Sequence, residues 1–234
     1  MQEIIHNIYL ISKGRSNVYL LAGDDLTLVD TGMPGDEKHI LEGIKEIGRS
    51  PGELRHILIT HAHMDHMGSV AALKKASKAR VIASAREVDY IEGVKKTWTM
   101  GREGPGGKLF KGVLFLMENF FVRYEPAHVD MQCAGDEFLD CFGGIRVIDS
   151  PGHSPGSLSY YLPSGKILFT GDALSGVPEL KLPPRPGCTD YRQALKTVNK
   201  LAELDFELCL FGHGEPLIHK ASQAVKRLAS SARP

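Results

Sequence analysis

The sequence predicts a mixed α/β fold in which two sheets pack face to face and helices cover both outer sides. Two observations carry this expectation. Short apolar, β-favouring runs recur along the 234 residues, and stretches of helical period stand between them. The order of the first half, strands and then helix, strand, helix, strand, sets a style that the second half repeats. With 42% hydrophobic and 24% charged residues, the composition is that of a soluble globular chain able to bury a sizeable core.

Residues 3–30 alternate apolar and polar side chains, with turn signals at Lys13-Gly14 and Gly23-Asp24-Asp25, and read as three strands in a meander. The third, from Leu26, ends in Asp30-Thr31-Gly32. Ile40, Leu41, Ile44 and Ile47 have helical spacing, with Asp36 as N-cap and Gly48 as the stop. His56-Ile57-Leu58-Ile59 reads as a buried strand, Met67 to Ala79 as a helix, and Val81-Ile82-Ala83 as another strand.

Residues 84–127 break the pattern. Glu87 to Lys96 is expected to be helical, Gly101 to Gly107 to be a loop, and Val113 to Tyr124 is strongly hydrophobic. Strands follow near 128–130, 136–139 and 145–149, then a hairpin of 157–162 and 166–170 around Pro163-Ser164-Gly165. Asp190 to Leu204 is an amphipathic helix, Leu208 to Phe211 a buried strand, and Glu215 to about Ala229 a last helix. No linker divides the chain, so one domain spanning 1–234 with a hydrophobic insertion at about 84–127 is expected.

Charge excludes some functions. Lys and Arg equal Asp and Glu in number, so nothing favours a nucleic-acid partner, which would call for a basic patch. No apolar run reaches the length of a membrane span and no signal peptide opens the chain, which points to the cytoplasm. Cys133, Cys141, Cys188 and Cys209 show no CxxC spacing and do not read as a zinc knuckle or a disulfide framework.

Chemistry is concentrated in His61-Ala62-His63-Met64-Asp65-His66, where four metal-capable side chains follow a strand. Imidazole and carboxylate are poor packing residues unless something satisfies them, so such a cluster is rarely needed for packing. Three more metal-capable residues stand just after strands: His153 in DSPGH, Asp172 in FTGD and His213 in GHG. Each histidine alone would fit a satisfied core or loop residue. If the strand ends meet at one edge, five histidines and two aspartates converge, enough for two divalent ions with open positions for water.

HAHMDH, DSPGHSPGS, FTGDAL and GHG, with the earlier LVDTG, resemble the motif series of the metallo-β-lactamase fold superfamily. The resemblance covers Asp30 to His213 and implies a four-layer αββα sandwich with a dinuclear site at one edge. It implies that His61, His63 and His153 hold one ion, that Asp65, His66 and His213 hold the other, and that Asp172 bridges them. Asp30 would support the metal loop by hydrogen bonding. Zinc is the favoured ion, with iron and manganese as alternatives. Two such ions would turn a bridging water into hydroxide near neutral pH. Asp65 would orient it and shuttle its proton.

Substrate identity is less legible. Dedicated β-lactamases of this fold generally lack an aspartate at the bridging position, so Asp172 leaves β-lactams as a weak side activity. The helical glutathione-binding extension typical of hydroxyacylglutathione hydrolases is not found in the roughly twenty residues after His213. The tyrosine of acyl-homoserine lactonases is replaced by Ala173-Leu174-Ser175. The expectation is hydrolysis of a small thioester, lactone or other ester with an apolar acyl part. A mononuclear iron, persulfide dioxygenase-like enzyme and a non-catalytic metal-binding member are the alternatives. The insertion reads as a lid above the metals or as a homodimer contact, with Trp98, Met100, Phe115, Phe120 and Tyr124 as candidate substrate contacts. Lys181 is a candidate contact for an acidic group.

Overall fold

The computed structural model describes residues 1–12, 15–97, 104–116 and 123–232. Seven strands form the first sheet: β1 (Gln2–Ile5), β2 (Ile8–Ser12), β3 (Asn17–Ala22), β4 (Leu26–Val29), β5 (Leu54–Leu58), β6 (Arg80–Ser84) and β7 (Met131–Cys133), paired in chain order. Pairing is antiparallel from β1 to β4 and parallel from β4 to β7. The second sheet runs β12-β11-β10-β9-β8, from β8 (Phe138–Leu139), β9 (Ile145–Asp149), β10 (Leu158–Leu162), β11 (Ile167–Gly171) and β12 (Leu208–Phe211). Its β11–β12 pair is parallel and the others are antiparallel.

Side-chain alternation builds three apolar layers. Tyr19, Leu21, Leu58, Val147, Tyr160 and Phe169 point between the sheets. Val18, Leu20, Ile57 and Val81 point outward to meet Ile40 and Ile44 of α1 (Glu37–Glu46) and Val70 and Leu73 of α3 (Val70–Ser77). On the far side Ile148, Leu168, Cys209 and Phe211 meet Val198 and Leu201 of α6 (Tyr191–Ala202) and Val225 of α7 (Ala221–Ser231). Both faces of each sheet are covered, which is why the strands read as nearly continuous apolar runs. The four-layer sandwich is therefore present.

Several boundaries differ from expectation. The first thirty residues hold four strands, because Asn7 at φ +64° makes a tight β1–β2 turn. Lys13-Gly14 lies outside the described residues. The helix expected from Met67 is split in two, and its first turn, α2 (Met64–Met67), begins inside the metal-capable cluster. Only Val88–Ile91 (α4) of the stretch 87–96 is α-helical. The glycine-rich segment is not all loop, since α5 spans Gly104–Leu116. A Cβ on Gly106 would stand 2.8 Å from Pro186, so glycine there lets α5 approach the turn at 185–187. The last helix starts at Ala221, because Leu217 first pairs with Cys209. All four cysteines are buried, and none of Cys133, Cys141 and Cys209 is in a disulfide. Among the described residues no helix is long and apolar enough to cross a membrane.

Candidate metal centre

The pairing directions bring the C-terminal ends of β4, β5, β9, β11 and β12 to one edge of the sandwich. Each delivers a loop there: Asp30 after β4, His61 to His66 after β5, His153 after β9, Asp172 after β11 and His213 after β12. Hydrogen bonds between the sheets fix this edge. Leu158 N donates to Thr60 O at 2.8 Å, and Tyr160 Oη donates to Ile59 O at 2.8 Å. Asn17 N donates to Gly212 O at 2.7 Å, and Tyr19 Oη donates to Phe211 O at 2.8 Å.

All seven expected residues come together, in two groups that could each hold an ion: His61, His63, His153 and Asp172, and Asp65, His66 and His213. Within each group the ligand atoms lie within 4.8 Å of one another. His61 Nε2 is 2.9 Å and His153 Nε2 is 3.0 Å from His63 Nδ1. Asp172 reaches both groups. Its Oδ2 is 3.3 Å from His153 Nε2 and 3.4 Å from His213 Nε2, while Oδ1 is 3.6 Å from His66 Nε2. Asp65 Oδ2 is 3.3 Å from His213 Nε2.

The rings are aimed from behind. Asp30 is buried at φ +62°, where its Oδ1 accepts from Thr60 N at 2.8 Å. Its Oδ2 accepts from Thr60 Oγ1 and His66 Nδ1, both at 2.8 Å. Thr60 Oγ1 in turn lies 3.0 Å from His61 Nδ1. One carboxylate thereby turns Nε2 of both His61 and His66 toward the site, as a supporting carboxylate does for a ligating imidazole. His213 Nδ1 donates to Arg15 O at 2.8 Å, which turns its Nε2 inward as well. Thr31 N and Oγ1 donate to His66 O, and Ser16 Oγ donates to Asp65 O.

This donor set fits a metal ion. His61 Nε2 and His153 Nε2 crowd His63 Nδ1 at 2.9 and 3.0 Å, a convergence of imidazole nitrogens that a cation would accept as ligands. Asp172 Oδ1 is buried and accepts no hydrogen bond among the described residues. Imidazole with carboxylate suits zinc and similar borderline ions.

Electrostatics agree with the convergence. Burial, with neighbouring His66, His63 and His153, holds His61 well below its ordinary value. Burial pushes His66 down, but Asp172, Asp65 and Asp30 override it and raise it to about 9. Partial burial pushes His213 down, but hydrogen bonds to Asp172 and Asp65 and their charges override it and raise it to about 11. Burial opposes ionisation of Asp65 and Asp172, yet the imidazoles hold both well below the usual carboxylate range. A divalent ion would displace these histidine protons.

A cavity of about 330 Å³ opens on the site, lined by His63, Asp65, His153, Asp172 and His213 together with Leu114, Leu174, Ser175, Pro184 and Gly187. A second cavity of about 390 Å³, around Asp25, His56, Asp140 and Cys141, holds none of the seven residues.

The expected substrate contacts fare differently. Trp98, Met100 and Phe120 lie outside the described residues. Phe115 is exposed on α5 and is not among the described residues lining the cavity; Leu114 lines it instead. Tyr124 packs against the first sheet's outer layer and donates from Oη to Tyr90 O at 2.7 Å. Lys181 is exposed and bridges by backbone to the cavity-lining Ser175, but is not itself among the described lining residues. Sequence reasoning missed Glu87, Thr60, Asn17 and Tyr19, which support the ligand loops. Gly212 was legible as a glycine adjacent to His213 that permits close backbone approach, and a Cβ there would stand 2.2 Å from Asp172 Oδ1.

Comparisons with known proteins agree with the geometry. Residues 11–213 match the model of the metallo-beta-lactamase superfamily. The chain is 28% identical over 226 residues to the probable metallo-hydrolase YflN of Bacillus subtilis, covering 88% of this chain and 83% of that protein. It is 34% identical over 139 residues to a hydroxyacylglutathione hydrolase of Mesorhizobium japonicum, covering 59% of this chain and 40% of that protein. A metallo-beta-lactamase family protein of Thermus thermophilus superposes with a TM-score of 0.71 at 21% identity, covering 97% of this chain and 80% of that one. With the family model spanning most of its length, the chain belongs to the metallo-beta-lactamase superfamily.

Proposed function

We propose that the protein is a metal-dependent hydrolase of a small carbonyl substrate: a thioester, lactone or other ester with an apolar acyl part. His61, His63 and His153 would hold one ion, Asp65, His66 and His213 a second, and Asp172 would join them. The observation that carries this reading is the position of Asp172 Oδ2, 3.3 Å from His153 in one group and 3.4 Å from His213 in the other. Zinc is the favoured ion.

Two divalent ions bound there would polarise a carbonyl oxygen and make water acidic near neutral pH. The chain's own residues do the rest. Asp65, in the cavity wall, orients the attacking water, takes its proton and passes it to the departing oxygen or sulfur. Asp30 and Arg15 keep His66 and His213 aimed, so the ring positions need no reorganisation during turnover. Leu114, Leu174 and Pro184 receive the apolar part and exclude water. No lysine or arginine lines the cavity among the described residues, which favours an uncharged substrate.

The relative named hydroxyacylglutathione hydrolase supports an acyl-transfer substrate class. Convergence of the Asp65, His66 and His213 group favours two ions over a mononuclear iron site. The test combines metal analysis with a panel of thioesters, lactones and esters. About two zinc ions per chain and turnover of one class are expected. One iron per chain with oxygen uptake would overturn the hydrolase reading. A metal-loaded protein inert across the panel would favour a non-catalytic member.

A further inference from the structure

Glu87 is fully buried, at 0% exposure, and precedes α4. Its Oε2 accepts from Ala62 N at 3.0 Å, between His61 and His63. Its Oε1 accepts from Ser154 Oγ at 2.7 Å and Gly156 N at 2.7 Å, just beyond His153. A single carboxylate thus ties together two loops that leave different sheets and carry three imidazoles. The approach is close enough to require glycine, since a Cβ on Gly156 would stand 2.7 Å from Glu87 Cγ. Arg86 pins the same segment from its other side, donating from Nη1 to Asp149 Oδ1 and to Pro155 O, each at 3.1 Å.

Burying a carboxylate is costly unless donors meet it, and three donors to an anion make strong bonds. A metal site tolerates little error in where its ligands stand. We infer that Glu87 is a positioning residue that sets the separation of the 61–63 and 153–156 loops, and so assembles the His61, His63 and His153 group. The inference rests on the reading that this group holds a metal ion. The described hydrogen bonds that fix Asp65, His66 and His213 come instead from Asp30, Thr31, Arg15 and Ser16. Loss of Glu87 should therefore disturb one ion and spare the other.

The test is a cobalt(II) titration of the full chain, read by stoichiometry, affinity and visible absorption. His153→Ala and His213→Ala assign the two equivalents to their groups. Glu87→Gln keeps the shape but turns an amide N–H₂ toward one set of donors. It is expected to weaken the His61, His63 and His153 equivalent by roughly 10–100-fold and to leave the other unchanged. A Glu87→Gln protein that titrates like the wild type overturns the inference, as does equal weakening of both equivalents, which would mark a general structural role. A wild-type chain that takes up no cobalt overturns the metal reading and this inference with it. If circular dichroism shows Glu87→Gln unfolded, Ser154→Ala removes one donor and leaves both backbone bonds. It should weaken the same equivalent to a smaller degree, and no change there overturns the inference.

Discussion

Asp30 Oδ2 accepts a 2.8 Å hydrogen bond from His66 Nδ1, joining residues 36 positions apart in the chain. The same oxygen accepts from Thr60 Oγ1, which lies 3.0 Å from His61 Nδ1, so one carboxylate aims a ring in each of the two groups. Asp30→Asn would place an N–H₂ among groups that need an acceptor. Metal affinity should fall by roughly 10–100-fold in both groups, measured by competition with a chromophoric chelator. Unchanged affinity would remove Asp30 from the support of the site.

Asp65 separates chemistry from folding. Asp65→Asn, prepared metal-loaded, should lower kcat by roughly 10²–10⁴-fold while its melting temperature stays near that of the wild type. Metal content per chain must be measured alongside, because the side chain stands among the ligand candidates. A wild-type kcat in the folded, loaded variant would exclude a proton-handling role.

Gly212 and Gly112 make an opposed pair. A Cβ at 212 would stand 2.2 Å from Asp172 Oδ1 and 2.8 Å from His66 Cε1. Gly212→Ala should cost about 1–3 kcal/mol of stability and weaken metal uptake. Gly112 lies in α5, and among the described residues nothing stands within 4 Å of an added Cβ. Gly112→Ala should stabilise by roughly 0.5–1 kcal/mol and leave metal uptake alone. Chemical denaturation with and without zinc distinguishes the two outcomes.

Leu114 brings α5 to the cavity as one of its lining residues. Leu114→Ser should raise KM for long-chain acyl substrates and leave KM for acetyl esters nearly unchanged. An equal rise for both would place the acyl part elsewhere.

Glu137 predicts an acid limit that does not involve the metal-capable residues. Burial opposes its ionisation, but backbone N–H groups of Ala134, Asp136 and Gly135 lower its pKa to about 2. A depressed carboxylate contributes stability that is present above its unfolded value and is lost as pH falls through the folded one. Wild-type stability should therefore decline between about 4.5 and about 2. Glu137→Gln should flatten that part of the profile, as followed by urea denaturation at each pH.

Much of the site was legible in the chain because each ligand motif is local. HAHMDH, DSPGH, FTGD and GHG each place a metal-capable side chain directly after an apolar strand, and a strand end fixes where that side chain emerges. The layering was legible for a similar reason, since alternation along Val18 to Leu21 or Val147 to Ile148 assigns each residue to a face. Helix boundaries were less so. Glycines that normally interrupt a helix are tolerated at the start of α5, where one of them packs against Pro186. The segment from Glu215 pairs Leu217 with Cys209 before any helix begins.

The sequence by itself determined the seven metal-capable residues, the strands that carry them and the family motif order. These depend on neighbours within a few positions. Only the tertiary structure decided which residues hold those loops together: Glu87 across 25 positions to Ala62, Tyr19 across 192 to Phe211, and Asn17 across 197 to Gly214. It also decided that Leu114, and not Phe115 or Lys181, lines the cavity. A buried acceptor or donor is defined by what chain folding brings to it, and no spacing along the sequence encodes that partner.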